Sequence, residues 1–115
     1  MAEIRLTTAV AKVLAALLQD PSAERYGLDL MRATGHPSGT LYPILVRLQR
    51  AGWVEARWEE DLDPAAAGRP ARRYYRLTPH GVTEARRELA ALSQQLNTAP
   101  APFGATRPDP LAGPA

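Results

Sequence analysis

Residues 40–54 constrain the fold of this chain more than any other segment. Leu41, Leu45 and Leu48 recur at helical spacing, a glycine then stops the helix, and an alternating strand pattern follows at once. Residues 68–78 place four arginines in and beside a turn that leads into a second strand. A helix followed by a hairpin with a basic tip is the arrangement by which a winged helix-turn-helix holds DNA.

Hydrophobic periodicity and terminal residues predict the helices around this unit. The predicted helices cover residues 7–20, 24–34, 38–51 and 79–97. Gly27 lies inside the second, which indicates the close approach of another element at that point. Pro43 lies inside the third, so that helix either begins near Thr40 or starts with a distortion, because proline is comfortable only in a first turn. Thr78 and Pro79 suit the cap and first residue of the last helix.

Two segments show the features of strands. In residues 53–59, Val54 and Trp58 lie on the apolar side of an alternating pattern, which predicts a half-buried strand. Residues 73–77 form the returning strand, and the loop over residues 61–71 is longer than a tight turn, so we expect it to be mobile. The predicted fold class is therefore α+β, mostly α: a winged helix-turn-helix followed by a C-terminal helix.

Charge and composition limit the classes of function. The net charge is only +2, but the arginines of residues 69–76 form a local basic patch just after an acidic run over residues 59–63. Such a patch favours nucleic acid as the partner. The chain has no cysteine, which excludes disulfides and thiolate metal sites. It shows no signal-peptide pattern and no apolar run of membrane-spanning length, so we expect a cytoplasmic protein.

The start of the third predicted helix carries small and hydroxyl-bearing residues. Small residues let the backbone approach DNA, and hydroxyls reach phosphates or base edges. An ordinary capped helix with Tyr42 partly buried accounts for the same residues. Arg47 is favoured over Arg50 because it lies nearer the N-terminal end of the helix. The predicted DNA contacts on this helix are Ser38, Gly39, Thr40, Tyr42 and Arg47.

Three arginines surround the predicted hairpin tip. Arg69, Arg72 and Arg73 are the candidates for contact with DNA phosphates. The alternative is a solvated hairpin edge, where charge prevents aggregation of the sheet. The density of arginine beside a flexible tip favours phosphate, whereas Arg76 lies further along the strand and is a weaker candidate.

A heptad seam runs along the last predicted helix. Its apolar residues, spaced alternately three and four apart, are Val82, Ala85, Leu89, Leu92 and Leu96. The seam either packs within one subunit or joins two subunits. A single terminal helix has few partners inside so small a domain, which favours a homodimer.

Taken together, these motifs resemble the PadR family of bacterial transcriptional regulators. The resemblance rests on Gly-Thr-Leu-Tyr-Pro-Ile-Leu at residues 39–45, Ala-Gly-Trp at residues 51–53 and the wing sequence over residues 68–78. It covers the chain up to the end of the last predicted helix. The short last helix resembles the small subfamily, which implies dimerisation through the first and last helices. That implication adds Val10 and Leu14 to the expected interface.

The resemblance also implies a mode of action. It implies a homodimer that binds a palindromic operator in double-stranded DNA, usually represses transcription, and is often released by a small aromatic or drug-like effector. One departure concerns helix two, where the family usually has Gly-Tyr-Glu and this chain has Gly27, Leu28 and Asp29. Any contact made by that tyrosine in relatives is not transferred to this chain.

Catalysis finds no support in the sequence. His36 and His80 are the only histidines, both at predicted turns or caps, and no nucleophile motif, phosphate loop or metal-ligand spacing occurs. No enzymatic activity, metal or cofactor is expected. Trp53 and Trp58 either line an effector site or belong to the core, and the core is favoured for Trp58.

The predictions divide the chain into three parts. Residues 1–78 form the DNA-binding domain, residues 79–97 the dimerisation helix, and residues 98–115, rich in proline and small residues, a disordered tail. The predicted function is a sequence-specific homodimeric transcriptional repressor. The alternative is a winged-helix module that binds protein, since one fold serves both uses. The basic wing argues against that alternative.

Overall fold

Helices and a small antiparallel sheet make up the part of the chain that is described. The structure, a computed structural model, describes residues 4–60 and 62–98. Its elements in chain order are α1 Thr8–Leu18, β1 Arg25–Tyr26, α2 Gly27–Thr34, α3 Ser38–Arg50, β2 Val54–Trp58, α4 Pro64–Ala67, β3 Arg73–Leu77 and α5 Pro79–Thr98. The predicted α+β, mostly α class is confirmed. Within the described residues, no helix has both the length and the apolar character to cross a membrane.

Local chemistry sets the ends of α1 and α2. The Thr7 hydroxyl accepts a hydrogen bond from the backbone N–H of Val10 at 3.1 Å, so it caps the start of α1 as predicted. α2 ends at Gly35, whose φ of 77° is the left-handed conformation that glycine adopts without a steric penalty. The Gly35 N–H donates to the carbonyl of Met31 at 2.8 Å and closes the last turn.

α3 begins at Ser38, before the start near Thr40 that would have placed Pro43 in the first turn. Pro37 occupies the N-cap position, and its carbonyl accepts from the N–H groups of Thr40 and Leu41, both at 3.0 Å. Ser38 is therefore the first helical residue, and the helix continues through Pro43 to Arg50. The helix does not begin near Thr40.

β3 is the middle strand of the sheet, whose order is β1-β3-β2. Tyr75 of β3 lies opposite Arg25 of β1 on one side and opposite Ala56 of β2 on the other, with both pairs antiparallel. The sequence did not predict β1, because residues 24–26 were assigned to the second helix. A two-residue strand has no periodicity of its own and forms only by pairing with a segment distant in the chain.

The wing loop is partly ordered by a short helix that the sequence did not predict. The Asp63 carboxylate accepts from the N–H of Ala65 at 3.1 Å, and Pro64 occupies the first helical position of α4. Gly68, with φ of 71°, ends this turn. Within the predicted loop over residues 61–71, residues 64–67 therefore form a helical turn.

One apolar core joins α1, α3, the sheet and the start of α5. Leu41, Leu45 and Leu48 are almost completely buried in it, which confirms the periodicity read from the sequence. The other large members are Val10, Val13, Leu14, Leu17, Leu30, Ile44, Trp53, Val54, Tyr75 and Leu77. Because the buried face of α3 is fully used, its opposite face is left to solvent.

Three residues predicted at a dimer interface lie in this core instead. Val10, Leu14 and Ala85 are 3%, 0% and 0% exposed within a single chain, so they leave no surface for a second subunit to cover. α1 packs against α2, α3 and α5 of its own subunit, which accounts for its apolar stripe. That part of the interface prediction is corrected. Trp58, by contrast, is predicted by the sequence to lie in the core, but it is 59% exposed.

α5 begins against the turn that follows α3. The Thr78 hydroxyl accepts from the N–H of Gly81 at 2.9 Å and donates to the carbonyl of Gly52 at 2.7 Å, which confirms its predicted capping role. The Thr78 N–H also donates to the carbonyl of Trp53 at 2.9 Å. The helix ends at Thr98, one residue beyond the predicted end, and the remainder of the predicted disordered tail lies outside the described residues.

The close approach of α5 to this turn predicts a strict requirement for glycine at position 81. A Cβ atom there would lie 1.9 Å from the carbonyl oxygen of Trp53, and that backbone is held by Thr78. Gly81→Ala is therefore expected to lower the free energy of unfolding by about 1–3 kcal/mol, measured by urea denaturation. Gly39→Ala is the matched control, since open space surrounds Gly39 in α3. Equal stability of the two variants would show that α5 does not dock in this way.

Candidate nucleic-acid interface

The N-terminal half of α3 presents its polar face to solvent. Ser38 and Gly39 are exposed and Thr40 is half-buried, while the three leucines and the isoleucine of the helix lie in the core. No bulky side chain precedes Tyr42 on this face, so another molecule can approach the helix backbone closely. Ser38, Gly39 and Thr40, which the sequence predicts as DNA contacts, therefore lie on the solvent-facing side of the helix.

Tyr42 is held by packing as well as exposed. Its hydroxyl lies against Gly27, where a Cβ atom would come within 1.8 Å of it. Its ring centre lies 6.5 Å from that of Tyr75, and its exposed fraction is 38%. The close approach predicted at Gly27 is confirmed, and Tyr42 is the residue that makes it. Tyr42 is therefore partly buried, and the rest of its ring is accessible to solvent.

Arg47 lies away from the start of α3. It is exposed in the last turn of the helix, together with Arg50. Seven residues of helix separate it from Thr40, which corresponds to about 10 Å along the axis. Arg47 shares a small cleft with Ile4 and Arg5 of the N-terminal segment. The structure therefore does not bring Arg47 together with the polar residues at the helix start.

Glu59 organises the wing at the end of β2. Its carboxylate accepts from Arg69 Nη1 at 2.8 Å and Nη2 at 3.1 Å, and also from the backbone N–H of Arg72 at 3.2 Å. Its own N–H donates to the carbonyl of Arg72 at 2.8 Å. The hydrogen bonds and charge of Arg69, together with the backbone N–H and the charge of Arg72, lower the pKa of Glu59 to about 2. The guanidinium of Arg69 is thus engaged inside the wing.

Arg72 and Arg73 lie on aromatic rings. The guanidinium carbon of Arg72 is 4.3 Å from the ring centre of Tyr26, and that of Arg73 is 5.1 Å from the ring of Trp58. Among the described residues, neither arginine forms an ion pair with a carboxylate. Among the described residues of the wing, these two arginines therefore have no ion-pair partner, although the charge of Arg72 also acts on Glu59 and Arg73 donates a hydrogen bond to the Tyr75 hydroxyl.

The remaining arginines of the sheet are paired with carboxylates. Arg57 forms a two-pronged ion pair with Glu24, and Arg76 donates to Glu55 from Nε at 3.0 Å. Arg76 is therefore less available to a DNA phosphate, both because it is paired with Glu55 and because it lies further along the strand.

A cavity of about 400 Å³ separates the wing from the helices. Its walls are chiefly aromatic and its charged groups are cationic: Tyr26, Tyr42, Trp58, Tyr75, Arg72 and Arg73. Burial raises the pKa of the Tyr75 hydroxyl, which therefore stays protonated at neutral pH. The start of α3, the start of α2 and the wing thus converge on one cleft.

Sequence reasoning missed Glu59 and Tyr26 as parts of this surface. Glu59 was counted only as part of an acidic run, although its position across the loop from Arg69 in a paired hairpin is a usable signal. Tyr26 enters the surface through β1, which the sequence did not reveal. His36 lies elsewhere, where its Nε2 contacts the carbonyl of Ala9 at 2.9 Å. The described residues contain no group of three or more His, Cys, Asp or Glu suited to a metal ion.

The predicted heptad seam divides into an inner and an outer part. Val82 and Leu89 are partly buried against the core of their own subunit, and Ala85 is completely buried in it. Leu92 is half-buried, and Leu96 is 69% exposed. Only the outer part of the seam therefore offers substantial apolar surface to another molecule.

Comparison with known proteins places the chain in a family. The sequence model of the transcriptional regulator PadR-like family matches residues 13–87. None of the proteins of curated function matches the chain.

Solved structures of similar fold include two PadR regulators and one regulator controlled by a small molecule. A PadR-like transcription factor from Bacteroides fragilis is 26% identical, with a TM-score of 0.61 over 78% of this chain and 84% of that one. A PadR family regulator from Eggerthella lenta is 26% identical, with a TM-score of 0.60 over 74% of each chain. BpsR of Bordetella bronchiseptica, whose DNA binding is regulated by 6-hydroxynicotinic acid, is 22% identical, with a TM-score of 0.57 over 85% of this chain and 66% of that one.

The lowered pKa of Glu59 predicts that its contacts in the wing are lost only at strongly acidic pH. Because its pKa in the folded protein lies below the ordinary value of 4.5, its stabilising contribution is present above that value and is lost as the pH falls towards about 2. The NMR shift of the Arg72 amide proton, which is donated to Glu59, should titrate with a midpoint near 2. Glu59→Gln should abolish this titration. A midpoint close to 4.5 would contradict the described wing geometry.

Proposed function

The chain belongs to the PadR-like family of transcriptional regulators, and on this basis we propose that it is a sequence-specific, homodimeric repressor. The observation that supports the proposal most strongly is the convergence of the exposed start of α3 with the two unpaired wing arginines, Arg72 and Arg73. We assign DNA binding to residues 1–78 and dimerisation to the helix that follows, over residues 79–97.

The start of α3 is proposed to enter the major groove. Ser38, Gly39 and Thr40 are free of bulky side chains, so the helix can approach base edges while hydroxyls donate to or accept from them. Tyr42 contributes an exposed ring edge beside them, fixed in place by its contact with Gly27. Arg47 is assigned a backbone contact further along the site.

The wing is proposed to grip the phosphate backbone through Arg72 and Arg73. Both guanidiniums are held on aromatic rings but lack a carboxylate partner among the described residues, so a phosphate gives them a counter-charge without the loss of an ion pair. Arg69 differs, since contact with phosphate requires it to leave Glu59. We therefore assign to Arg69 the role of positioning the wing, and only a secondary role in phosphate contact.

Dimerisation is proposed to use the outer part of α5. Leu96 is exposed, and Leu92 is half-buried without packing against the subunit core. Val82 and Leu89, which do pack against that core, extend the contact inward. Two-fold symmetry would then place two copies of α3 on a palindromic operator.

Release by a small-molecule effector completes the proposal. DNA binding by BpsR, which shares the fold, is regulated by an aromatic acid. The cleft beside the wing shows that this chain has a cavity large enough for a molecule of that size.

Removal of the two unpaired wing arginines should weaken DNA binding irrespective of sequence. Arg72→Ala with Arg73→Ala removes four cationic groups per dimer, so the slope of log affinity against log salt should become shallower by about 3–4. Affinity for genomic fragments selected by the protein and for unrelated duplex should fall by similar factors, because phosphate contacts carry no base identity. The measurement is fluorescence anisotropy across a salt series.

Arg76→Ala is the control for that experiment. Arg76 lies on the same strand but is paired with Glu55, so its loss should leave the salt slope nearly unchanged. A wing variant that is folded and binds as tightly as the parent would contradict the wing assignment. Failure of the parent to bind any DNA at low salt would favour the protein-binding alternative.

Charges on the outer seam of α5 should separate the subunits. Leu92→Glu with Leu96→Glu would place four carboxylates in one apolar contact, at a cost of several kcal/mol. Light scattering should then show monomers, and operator binding should be lost. Ser93→Glu with Asn97→Glu adds the same charge at the same spacing on exposed neighbouring positions and should leave the dimer intact. A dimer that survives the leucine changes would place the interface elsewhere.

A further inference from the structure

We propose that the outward face of α3 reads thymine in the major groove, with Pro43 and Val46 in contact with thymine C5-methyl groups. The inference rests on the proposed DNA-binding function and deepens it, because it names a base and the side chains that read it. It adds Pro43 and Val46 to the residues already assigned to DNA.

The face of α3 opposite the core is apolar over most of its length. Successive residues of a helix are rotated by about 100°, so Gly39, Pro43 and Val46 fall within roughly 60° of one another, on the side away from the buried leucines. These three residues are called the outer stripe below. Pro43 is exposed, and Val46 is 41% exposed. The solvent-facing side of a surface helix ordinarily carries charged and polar residues, so an apolar stripe there calls for a partner.

Packing within the subunit does not account for the outer stripe. The core uses the other side of the helix, through Leu41, Ile44, Leu45 and Leu48. Pro43 and Val46 are not among the described residues that pack against that core. Open space also surrounds the position that a Cβ atom of Gly39 would occupy. The outer stripe is therefore accessible to another molecule along its whole length.

Cationic side chains flank the outer stripe on both sides. Tyr42 lies on one side of it and shares a cleft with Arg72 and Arg73 of the wing. Arg47 lies on the other side and shares a small cleft with Arg5. Within the described part of the chain, none of these four arginines forms an ion pair with a carboxylate. A neutral strip between two groups of cations matches the major groove, where base edges lie between two phosphate backbones.

Thymine is the base that suits an apolar stripe. Its C5-methyl group is an apolar group exposed in the major groove, whereas the other bases present hydrogen-bond donors and acceptors there. Pro43 and Val46 have no hydrogen-bonding group in their side chains, so they distinguish bases by apolar contact. They are three residues apart, about 4.5 Å along the helix axis, which is comparable with the spacing of about 3.4 Å between neighbouring base pairs. We therefore expect one or two thymines at neighbouring positions in each half-site.

The first experiment selects binding sites from a random library of duplex DNA with the full-length protein. The enriched duplexes should share thymine at fixed positions in both halves of a palindrome. If no duplex is enriched, the proposed DNA-binding function fails, and the reading of thymine fails with it. Enriched duplexes without a fixed thymine would overturn the reading of thymine alone.

The second experiment replaces each fixed thymine in turn with deoxyuridine, in both half-sites at once. This substitution removes the methyl group and keeps every hydrogen-bonding group of the base. Loss of one buried methyl contact should weaken binding about fourfold, so the symmetric replacement should weaken it about ten- to twentyfold. Fluorescence anisotropy with labelled duplexes measures the affinities. Unchanged affinity at every fixed thymine would contradict the proposal.

Variants of α3 then identify the side chains that read the methyl groups. Val46→Ala should weaken binding to the thymine duplex, and the penalty for deoxyuridine at one position should fall below about twofold, because that methyl has lost its partner. Pro43→Ala should do the same at the neighbouring position. Alanine is a better helix former than proline, so α3 should stay intact in this variant. Measurement of each variant with both duplexes gives the coupling between side chain and methyl group.

Leu28→Ala is the matched control. Leu28 is 46% exposed on α2, so this change removes a similarly exposed apolar side chain that does not belong to the outer stripe. Every deoxyuridine penalty should persist in the control, whatever its overall affinity. If the penalties persist equally in Val46→Ala and Pro43→Ala, the outer stripe does not contact the methyl groups and the proposal is overturned. Thermal melting checks that each variant is folded.

Discussion

The pairing of β3 with strands on both of its edges is the constraint on which the rest of the structure depends. β2 supplies the wing, and β1 leads directly into α2, so β3 ties the wing to the helix-turn-helix. Arg25 reinforces the connection because its Nη1 donates to the carbonyl of Ala16 in α1 at 2.8 Å, while its Nε pairs with Asp29 of α2. β1 therefore adds a second attachment of the sheet to the helices, beside the packing of Tyr75 against Tyr42 of α3.

The electrostatics of the wing depend on which arginines are already paired. Arg69 forms an ion pair with Glu59, and Arg76 forms one with Glu55, so these pairs contribute little net charge at the surface. Arg72 and Arg73 lie on aromatic rings and form no ion pair with a carboxylate of the described residues, although the charge of Arg72 also acts on Glu59. A count of arginines in the sequence therefore overstates the number available to a phosphate or a ligand anion.

The aromatic cleft and the DNA-facing surface are built from the same few groups. Tyr42 belongs to α3, yet its hydroxyl is held against Gly27 at the start of α2, so the helix most suited to DNA also forms a wall of the cavity. Arg72 and Arg73 complete both surfaces. The cleft and the surface assigned to DNA therefore share these residues.

The sequence by itself determined the four longer helices, the wing strands and the family. The leucine spacing of α3 and the threonine and proline at the start of α5 act locally, through periodicity and capping, and short-range patterns of that kind can be read along a chain. Tertiary structure alone decided which apolar positions are internal: Ala85 and Leu96 belong to the same heptad seam, but one is buried in its own subunit and the other is exposed. It also decided the existence of β1 and the partner of each arginine. These features depend on contacts between distant residues, and periodicity carries no information about them.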